Sequence, residues 1–236
     1  MVGSFRAVIF DFFGTLTEAV KRGPAHERIA LRLGCTPAAF TKALDQTFLM
    51  RSVGALGDPA HALAVVAGLA GARPSRTTLE SVLAARIAAV RADITLRRDA
   101  VPVLATLRRF GLRTGLISDC GPELPEFLPD LAVAEHIEAS VFSIEAGCRK
   151  PSPRIYEIAC RRLGVDPVDC LYIGDGGSQE LSGADAVGMT AVRLTAPDLG
   201  GHLVFDSDDG WSGKRIDSLT DVFDALTLGR RARVPA

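Results

Sequence analysis

The first feature that suggests chemistry is a carboxylate, Asp11, which follows the apolar run of residues 7–10 and precedes a Gly-Thr turn. A buried strand would hold Asp11 rigidly, while the turn would let a substrate approach it. A carboxylate in this position can act as a nucleophile that forms a covalent ester or acyl phosphate, or as a metal ligand. The same surroundings also suit an aspartate that only satisfies a turn, so Asp11 alone leaves these roles open.

Two further segments supply a hydroxyl group and an ammonium group. Residues 113–117 form a largely apolar run, and Ser118 and Asp119 follow it. Lys150 lies in a loop just before a predicted helix that begins near Ser152. The hydroxyl could equally satisfy a turn, and the lysine could be an ordinary solvated residue. The lysine position is still informative, because the chain contains only four lysines: Lys21, Lys42, Lys150 and Lys214.

A second carboxylate follows a third apolar run. Residues 170–174 lead into Asp175, two glycines follow, and Glu180 lies in the first turn of a helix predicted over residues 179–187. Parallel strands bring the residues at their carboxyl ends to one edge of the sheet, so we expect Asp11, Ser118 and Asp175 to lie together. Asp175 could also cap the helix behind it, with Glu180 favouring the dipole of that helix.

In this order, the four segments resemble the motifs of the haloacid dehalogenase superfamily of hydrolases: a nucleophilic Asp, a Ser or Thr, a Lys and an acidic pair. The resemblance spans essentially the whole chain. It implies that Asp11 is the nucleophile and that Thr15 and Ser118 hydrogen-bond the nucleophile and the transferring group. Lys150 would offset the negative charge of Asp11 and of the phosphoryl oxygens.

The resemblance also implies a Mg²⁺ cofactor, held by carboxylate oxygens of Asp11, Asp175 and Glu180 and by the backbone carbonyl of Phe13. Two positions depart from the family pattern. The nucleophile loop is normally Asp-x-Asp-x-Thr, and the second Asp, which is the general acid and base of the phosphatases, is Phe13 here. The position of Glu180 is usually Asp, so the longer side chain would reach the metal through water or pair with Lys150.

The missing general acid leaves several activities open. General acid–base catalysis typically contributes about 10²–10⁴-fold, so a phosphatase of this kind should favour aryl or acyl phosphates, whose leaving groups need no proton. Dehalogenases also lack this acid, but the chain has no Ser-Asn-Ala-Trp-Asp stretch like theirs and it keeps Asp175. A phosphonate hydrolase needs an imine-forming lysine, for which Lys21 and Lys42 are the candidates. A weakly active or non-catalytic relative with a binding role is the last alternative, and we predict a phosphatase ahead of the others.

Composition restricts the partners. The chain has 236 residues, 47% of them hydrophobic, which is enough for a sizeable core. A formal net charge of −1 without a basic block argues against nucleic acid or an anionic membrane as a partner. The five cysteines form no C-x-x-C motif, and we expect their thiols to be reduced. We therefore expect a cytoplasmic protein, a monomer or dimer, and the family resemblance implies that it acts on a small phosphorylated, or otherwise activated, anionic molecule.

Helix start and stop signals divide the chain. Four helical patterns, opened by proline or a capping residue, occupy residues 24–34, 37–51, 59–71 and 75–93. A helical insertion directly after the nucleophile loop resembles the small α-helical cap of the family, with hinges at residues 16–20 and 94–97. The sequence thus predicts a cap over residues 18–93 and a core formed by residues 1–17 and 94–236.

Helices and strands alternate after the insertion. The predicted strands cover residues 112–118, 139–142, 171–173 and 190–194. This alternation predicts an α/β fold, with a Rossmann-like, doubly wound parallel sheet. We also expect a short strand at residues 203–205, a helix at residues 218–228, and a basic, frayed tail at residues 230–236.

The substrate should contact both the core and the cap. Residues 48–58 resemble the cap loop that faces the active site in relatives, and Arg51 is the one cation in them. We expect Arg51 to bind an anionic group of the substrate, and Phe13 and Asp119 to contact the substrate as well. The alternative is that Arg51 only offsets the negative end of its helix.

Overall fold

Six parallel strands form one sheet in the computed structural model, which describes residues 5–227. The strands are β1 (Ala7–Phe10), β2 (Arg113–Ser118), β3 (Ala139–Phe142), β4 (Cys170–Gly174), β5 (Thr190–Leu194) and β6 (Lys214–Ile216). Their spatial order is β3-β2-β1-β4-β5-β6, so the chain winds outward from β1 to one side and then to the other. This is the doubly wound α/β fold that the sequence predicts.

Ten α-helices lie within the described residues. They are α1 (Pro24–Arg32), α2 (Pro37–Ser52), α3 (Pro59–Leu69), α4 (Arg76–Ala92), α5 (Ala100–Arg109), α6 (Glu123–Phe127), α7 (Ser143–Ala146), α8 (Pro153–Leu163), α9 (Glu180–Ala186) and α10 (Val222–Ala225). None of the helices between residues 5 and 227 has the length and apolar character needed to cross a membrane.

The central strand is buried on both faces. Val8 and Phe10 of β1 belong to one apolar cluster, and Ala7 and Ile9 belong to the other. Successive side chains of a strand point to opposite faces, so this alternation follows from the strand geometry. Helices α5 and α6 pack in the first cluster, and α8 and α9 pack in the second. The carboxyl end of β1 is consequently held rigidly from both sides.

Helices α1 to α4, which we call the helical insert, have an apolar cluster of their own, built around Phe40, Val66 and Val82. Caps fix where these helices begin. The side chain of Asp58, for example, accepts hydrogen bonds from two backbone amides at the start of α3, at 2.9 and 3.0 Å. Each helix of the insert lies within two residues of its predicted position.

Two antiparallel connections join the insert to the core. Thr17 and Leu96 form an isolated β-bridge, and the backbone amide of Glu18 donates to the carbonyl of Thr95 at 2.9 Å. The chain therefore leaves the core and returns to it at nearly the same point. Both connections fall at the predicted hinges, and the division into cap and core stays a prediction.

The carboxyl-terminal part of the fold differs from the prediction. Residues 203–205 form no strand, although their apolar composition favours one. The last strand is instead β6, whose first two residues, Lys214 and Arg215, are exposed as is usual at a sheet edge. The predicted helix at residues 218–228 is a capped turn followed by α10, and its end at Leu228 and the basic tail lie outside the described residues.

Candidate active site

Strand register brings the predicted residues to one edge of the sheet. Phe10, the last residue of β1, pairs with Leu116 of β2 and with Ile173 of β4. Asp11 and Asp175 therefore leave their strands side by side, and Ser118 ends β2 next to them. The carboxyl ends of the central strands form the site, as expected at the switch point of a doubly wound sheet.

Lys150 is the cation of this site and is almost completely buried, with 2% of the residue exposed. Its Nζ atom donates to Oδ1 of Asp11 and to Oε2 of Glu180, each at 2.6 Å. Burial alone would lower the pKa of Lys150, but the carboxylates of Asp11 and Glu180 outweigh burial and raise this pKa well above its ordinary value. Lys150 is therefore charged and links the nucleophile candidate to Glu180.

The carboxylate of Glu180 is held in place by hydrogen bonds from other groups of the protein. The hydroxyl of Tyr172 donates to Oε2 at 2.9 Å, and the backbone amide of Gly176 donates to Oε1 at 2.9 Å. The carboxylate lies against Gly174, where a Cβ atom would collide with it. With Lys150 as a third partner, this geometry favours a role for Glu180 in positioning the lysine.

Asp11, Asp175 and Glu180 form a carboxylate cluster in which one oxygen from each lies within 4.8 Å of the others. Burial and then Glu180 and Asp11 raise the pKa of Asp175 well above its usual range. Burial, with a contribution from Glu180 and against Lys150, raises the pKa of Asp11 to about 7. Three carboxyl groups face one ammonium group, so full ionisation would place excess negative charge in a buried site, and the raised pKa values of Asp11 and Asp175 reflect this cost. A hard divalent cation such as Mg²⁺ fits this all-oxygen donor set.

Three buried polar atoms near the cluster have no hydrogen-bond partner among the described residues: Oγ1 of Thr15, Oγ of Ser118 and Oδ2 of Asp119. The other carboxylate oxygen of Asp119 accepts from the backbone amide of Lys150 at 3.1 Å. Buried polar groups are nearly always hydrogen-bonded, so unpaired donors and acceptors beside a carboxylate are typical of a site that receives a polar ligand.

A cavity of about 160 Å³ opens above Asp11. Among the predicted site residues, its lining includes Asp11, Phe13, Arg51, Asp119, Lys150 and Asp175. Thr15, Ser118 and Glu180 are fully buried and are not part of the lining. Phe13 is half-buried, packs edge-on against Phe12, and contributes an apolar ring to the lining.

Arg51 reaches the same cavity from the helical insert. Its Nε donates to Oγ1 of Thr47 at 3.0 Å, and Nη2 donates to the carbonyl of Leu44 at 2.9 Å. No ion pair to Arg51 is formed by the residues that the structure describes. Burial and then the charge of Arg86 lower the pKa of Arg51 to about 10, so it keeps its charge at neutral pH.

A buried ion pair joins the insert to the core at the rim of the cavity. Arg86 of α4 donates through Nη2 to Oε1 of Glu123 in α6 at 2.6 Å. A second contact lies within the insert, where Nε2 of His26 is 2.8 Å from Oδ2 of Asp93. Sequence patterns do not reveal these pairs, since their members are separated by 37 and 67 positions.

His202 is a site residue that the sequence analysis missed. Its Nδ1 accepts the backbone amide of Val20 at 2.8 Å, which leaves the proton of the neutral ring on Nε2. Nε2 lies 3.5 Å from Oδ2 of Asp175. Gly14, with φ of +79°, makes room for the ring, since a Cβ atom at this position would lie 2.6 Å from Nε2. A histidine in a glycine-rich loop gives no sequence signal of this placement.

The two lysines considered for imine formation lie elsewhere. Neither Lys21 nor Lys42 is among the described residues that line the cavity. Cys120 does line it, but burial raises the pKa of its thiol well above the ordinary value, so the thiolate is disfavoured. All five cysteines have free thiols.

A family model described as haloacid dehalogenase-like hydrolase matches residues 5–188. Among curated proteins, a glyceraldehyde 3-phosphate phosphatase of Methanopyrus kandleri is 36% identical over 97 residues, covering 41% of this chain and 42% of that protein. A phosphoserine phosphatase of Thermus thermophilus is 34% identical over 95 residues, covering 40% of this chain and 38% of that protein. The chain thus spans about two fifths of the length of these relatives.

Solved structures share the fold. An L-2-haloacid dehalogenase from Xanthobacter autotrophicus superposes with a TM-score of 0.66 and 21% identity, covering 94% of this chain and 98% of that one. A phosphatase from Thermococcus onnurineus superposes with a TM-score of 0.59 and 21% identity, covering 96% and 100%. At this identity the likeness concerns the fold alone, and both a dehalogenase and a phosphatase share it.

Proposed function

Because this chain belongs to the haloacid dehalogenase-like hydrolase family, we propose that it is a Mg²⁺-dependent phosphate-ester hydrolase with Asp11 as nucleophile. The observation that carries the proposal is the buried cluster of Asp11, Asp175 and Glu180, whose three carboxyl groups face the single ammonium group of Lys150. The phosphatase names of the two curated relatives support the same activity. The substrate is then a small phosphorylated molecule.

The chemistry divides into two balanced steps. In the first, a carboxylate oxygen of Asp11 bonds to phosphorus, the bond from phosphorus to the leaving oxygen breaks, and that oxygen departs with the electron pair. In the second, water adds to phosphorus, the bond to Asp11 breaks, and both water protons remain on the phosphate product. Lys150 offsets charge on Asp11 throughout, and the unpaired groups of Thr15 and Ser118 are suited to bind the transferring group.

Oxygen atoms of Asp11 and Asp175 and the backbone carbonyl of Phe13 would hold the Mg²⁺ ion. When bound, the ion supplies positive charge that lets a carboxylate approach a phosphate dianion. The carboxylate of Glu180 already accepts hydrogen bonds from Lys150, Tyr172 and a backbone amide, so Glu180 acts on the metal site through Lys150.

The side chain of Phe13 determines which leaving groups the proposed hydrolase can expel efficiently. Its ring cannot protonate a departing oxygen, so alkyl phosphates lose the contribution of about 10²–10⁴-fold that a general acid makes. Aryl and acyl phosphates are affected little, because their leaving groups depart as stable anions, a phenolate or a carboxylate. The proposed enzyme is therefore slow on alkyl phosphates and faster on these two classes.

Arg51 is proposed to bind a second anionic group of the substrate. Its guanidinium lines the cavity, keeps its charge, and forms no ion pair within residues 5–227. Arg51→Gln should raise KM for substrates that carry an additional carboxylate and leave KM for an unsubstituted aryl phosphate unchanged. An equal rise for both substrates would assign Arg51 to packing instead.

The test is hydrolysis of 4-nitrophenyl phosphate with and without Mg²⁺, alongside chloride release from 2-chloropropionate. We expect phosphate release that chelator and Asp11→Asn both abolish. Metal-independent chloride release without phosphate release would favour a dehalogenase. A phosphonate hydrolase is disfavoured because Lys21 and Lys42 are absent from the described cavity lining.

A further inference from the structure

Residues 202–206, which we call the 202–206 segment, lie beyond the region matched by the family model, which ends at residue 188. The segment begins at His202, beside Asp175, and its next three residues line the active-site cavity. Those residues are Leu203, Val204 and Phe205. A part of the chain outside the family region therefore builds a wall of the proposed active site.

The segment is held in place at both ends. The backbone amide of Leu203 donates to the carbonyl of Val20 at 3.2 Å, next to the first connection to the insert. The carbonyl of Phe205 accepts from the amide of Ser178 at 2.7 Å, in the loop that follows Asp175. The wall is thus built into the same loops that carry the reacting groups.

Phe205 also contacts the helical insert. Its ring stacks on Phe48 of α2, with centroids 4.1 Å apart and planes inclined by 12°. Further apolar lining comes from Phe13 beside the nucleophile and from Leu44 and Val90 of the insert. The organic part of a substrate bound at Asp11 meets apolar and aromatic surface from the core, the insert and the 202–206 segment.

We infer that the 202–206 segment determines substrate specificity, and that the substrate is an aryl phosphate whose ring packs against Phe205 and Leu203. This inference rests on the proposed phosphatase function and chooses between its two favoured leaving-group classes. The leaving groups of aryl and acyl phosphates both depart without a proton, but an aromatic ring gains more from burial against this wall than a small acyl group does. Small acyl phosphates would leave the apolar surface uncovered.

Binding tests the inference without turnover. Affinities of phenylphosphonate and methylphosphonate, measured by calorimetry in saturating Mg²⁺, should differ about ten-fold or more in favour of the phenyl compound, since burying part of one ring is enough for this factor. Phe205→Ala should remove most of the difference, while Phe205→Leu, which keeps an apolar side chain, should retain part of it. Leu31→Ala, at an exposed position of α1, is the control and should behave like the wild type.

Equal affinities for the two phosphonates, or an undiminished difference in a folded Phe205→Ala variant, would overturn the inference. Turnover separates it from the proposed function. Equal kcat/KM for acetyl phosphate and 4-nitrophenyl phosphate would refute aryl specificity while leaving a phosphatase. Turnover of neither substrate, by protein that still prefers phenylphosphonate, would refute the phosphatase and leave the aromatic site.

Discussion

The Nζ atom of Lys150 lies 2.6 Å from Oδ1 of Asp11, although 139 positions separate the two residues in the chain. The contact is buried, and the same ammonium group is equally close to Glu180. One buried cation therefore holds two buried carboxylates, and its removal would leave them unpaired.

Lys150→Met should lower the free energy of unfolding by about 3 kcal/mol or more, because breaking a buried ion pair leaves an uncompensated charge. Hydrolysis should be lost as well, since no other cationic side chain of the described residues pairs with Asp11. Urea unfolding measures the first effect, and Lys42→Met, at an exposed lysine, is the control. A Lys150→Met variant as stable as the control would contradict the structural role given to this ion pair.

Metal binding should stabilise the protein through Asp175. Mg²⁺ at about 100 times its dissociation constant stabilises a folded protein by about 2.7 kcal/mol, so thermal melts should shift upward when it is added. Asp175→Asn should lose the shift, whereas Asp130→Asn, at an exposed aspartate, should keep it. The same shift in both variants would place the metal elsewhere.

The ion pair between Glu123 and Arg86 should make stability depend on pH. Burial alone would raise the pKa of Glu123, but Arg86 outweighs burial and holds it below the ordinary value of 4.5. As the pH falls, Glu123 therefore takes up its proton in the unfolded state before it does so in the folded state. The stabilisation from the ion pair is complete above pH 4.5 and is lost as the pH falls through the folded-state pKa of Glu123.

Glu123→Gln should cost about 3 kcal/mol near pH 6, and the difference from the wild type should shrink below pH 4.5. Urea unfolding at several pH values measures it. Glu80→Gln, which breaks the exposed pair with Arg76, should change nothing measurable. A difference that does not vary with pH would assign the effect of Glu123→Gln to packing.

Phe13→Asp restores a proton donor and keeps the backbone carbonyl. Rates on alkyl phosphates should rise by about ten-fold or more relative to Phe13→Asn, which has a similar size but no acid. Rates on aryl phosphates should change less. If a stable Phe13→Asp variant gained nothing over Phe13→Asn on any alkyl phosphate, the phosphatase proposal would be weakened, and a leaving group that never needs a proton, or a binding role, would be favoured.

Replacement of residues 18–93 by a short linker should leave a folded core, because the insert has its own apolar cluster and its two connections are adjacent. The shortened protein should hydrolyse a good substrate but discriminate poorly between organic groups, since it lacks Leu44, Phe48 and Arg51. Thermal unfolding and a substrate panel check both points. A shortened chain that fails to fold would make the insert part of a single domain.

Local patterns predicted most of the fold. The strands at Ala139–Phe142 and Thr190–Leu194 have the predicted bounds, because each is a short apolar run between turn residues. Residues 203–205 have similar composition, yet they line a cavity rather than extend the sheet. The composition of a segment predicts that it is buried against apolar partners, but the tertiary structure determines which partners these are.

The same limit applies to the site. Asp11, Lys150 and Asp175 were predicted because strand ends and motif order mark them. His202 carries no such mark, since its role depends on the backbone of Val20 and on a glycine at position 14. Arg86 and Glu123 meet only after the insert packs on the core.

The position of β1 has a consequence for how the chain folds. β1 is made first, but it lies in the centre of the sheet, where Ala7 pairs with Arg113 on one side and Cys170 on the other. Both edges of this apolar strand stay open until β2 is synthesised, and one edge stays open until β4 is synthesised; unpaired strand edges readily join other chains. The helical insert can collapse on its own cluster in the meantime. Nascent chains are therefore most prone to aggregate before β4 emerges, and folding depends on contacts of long sequence separation, which form slowly.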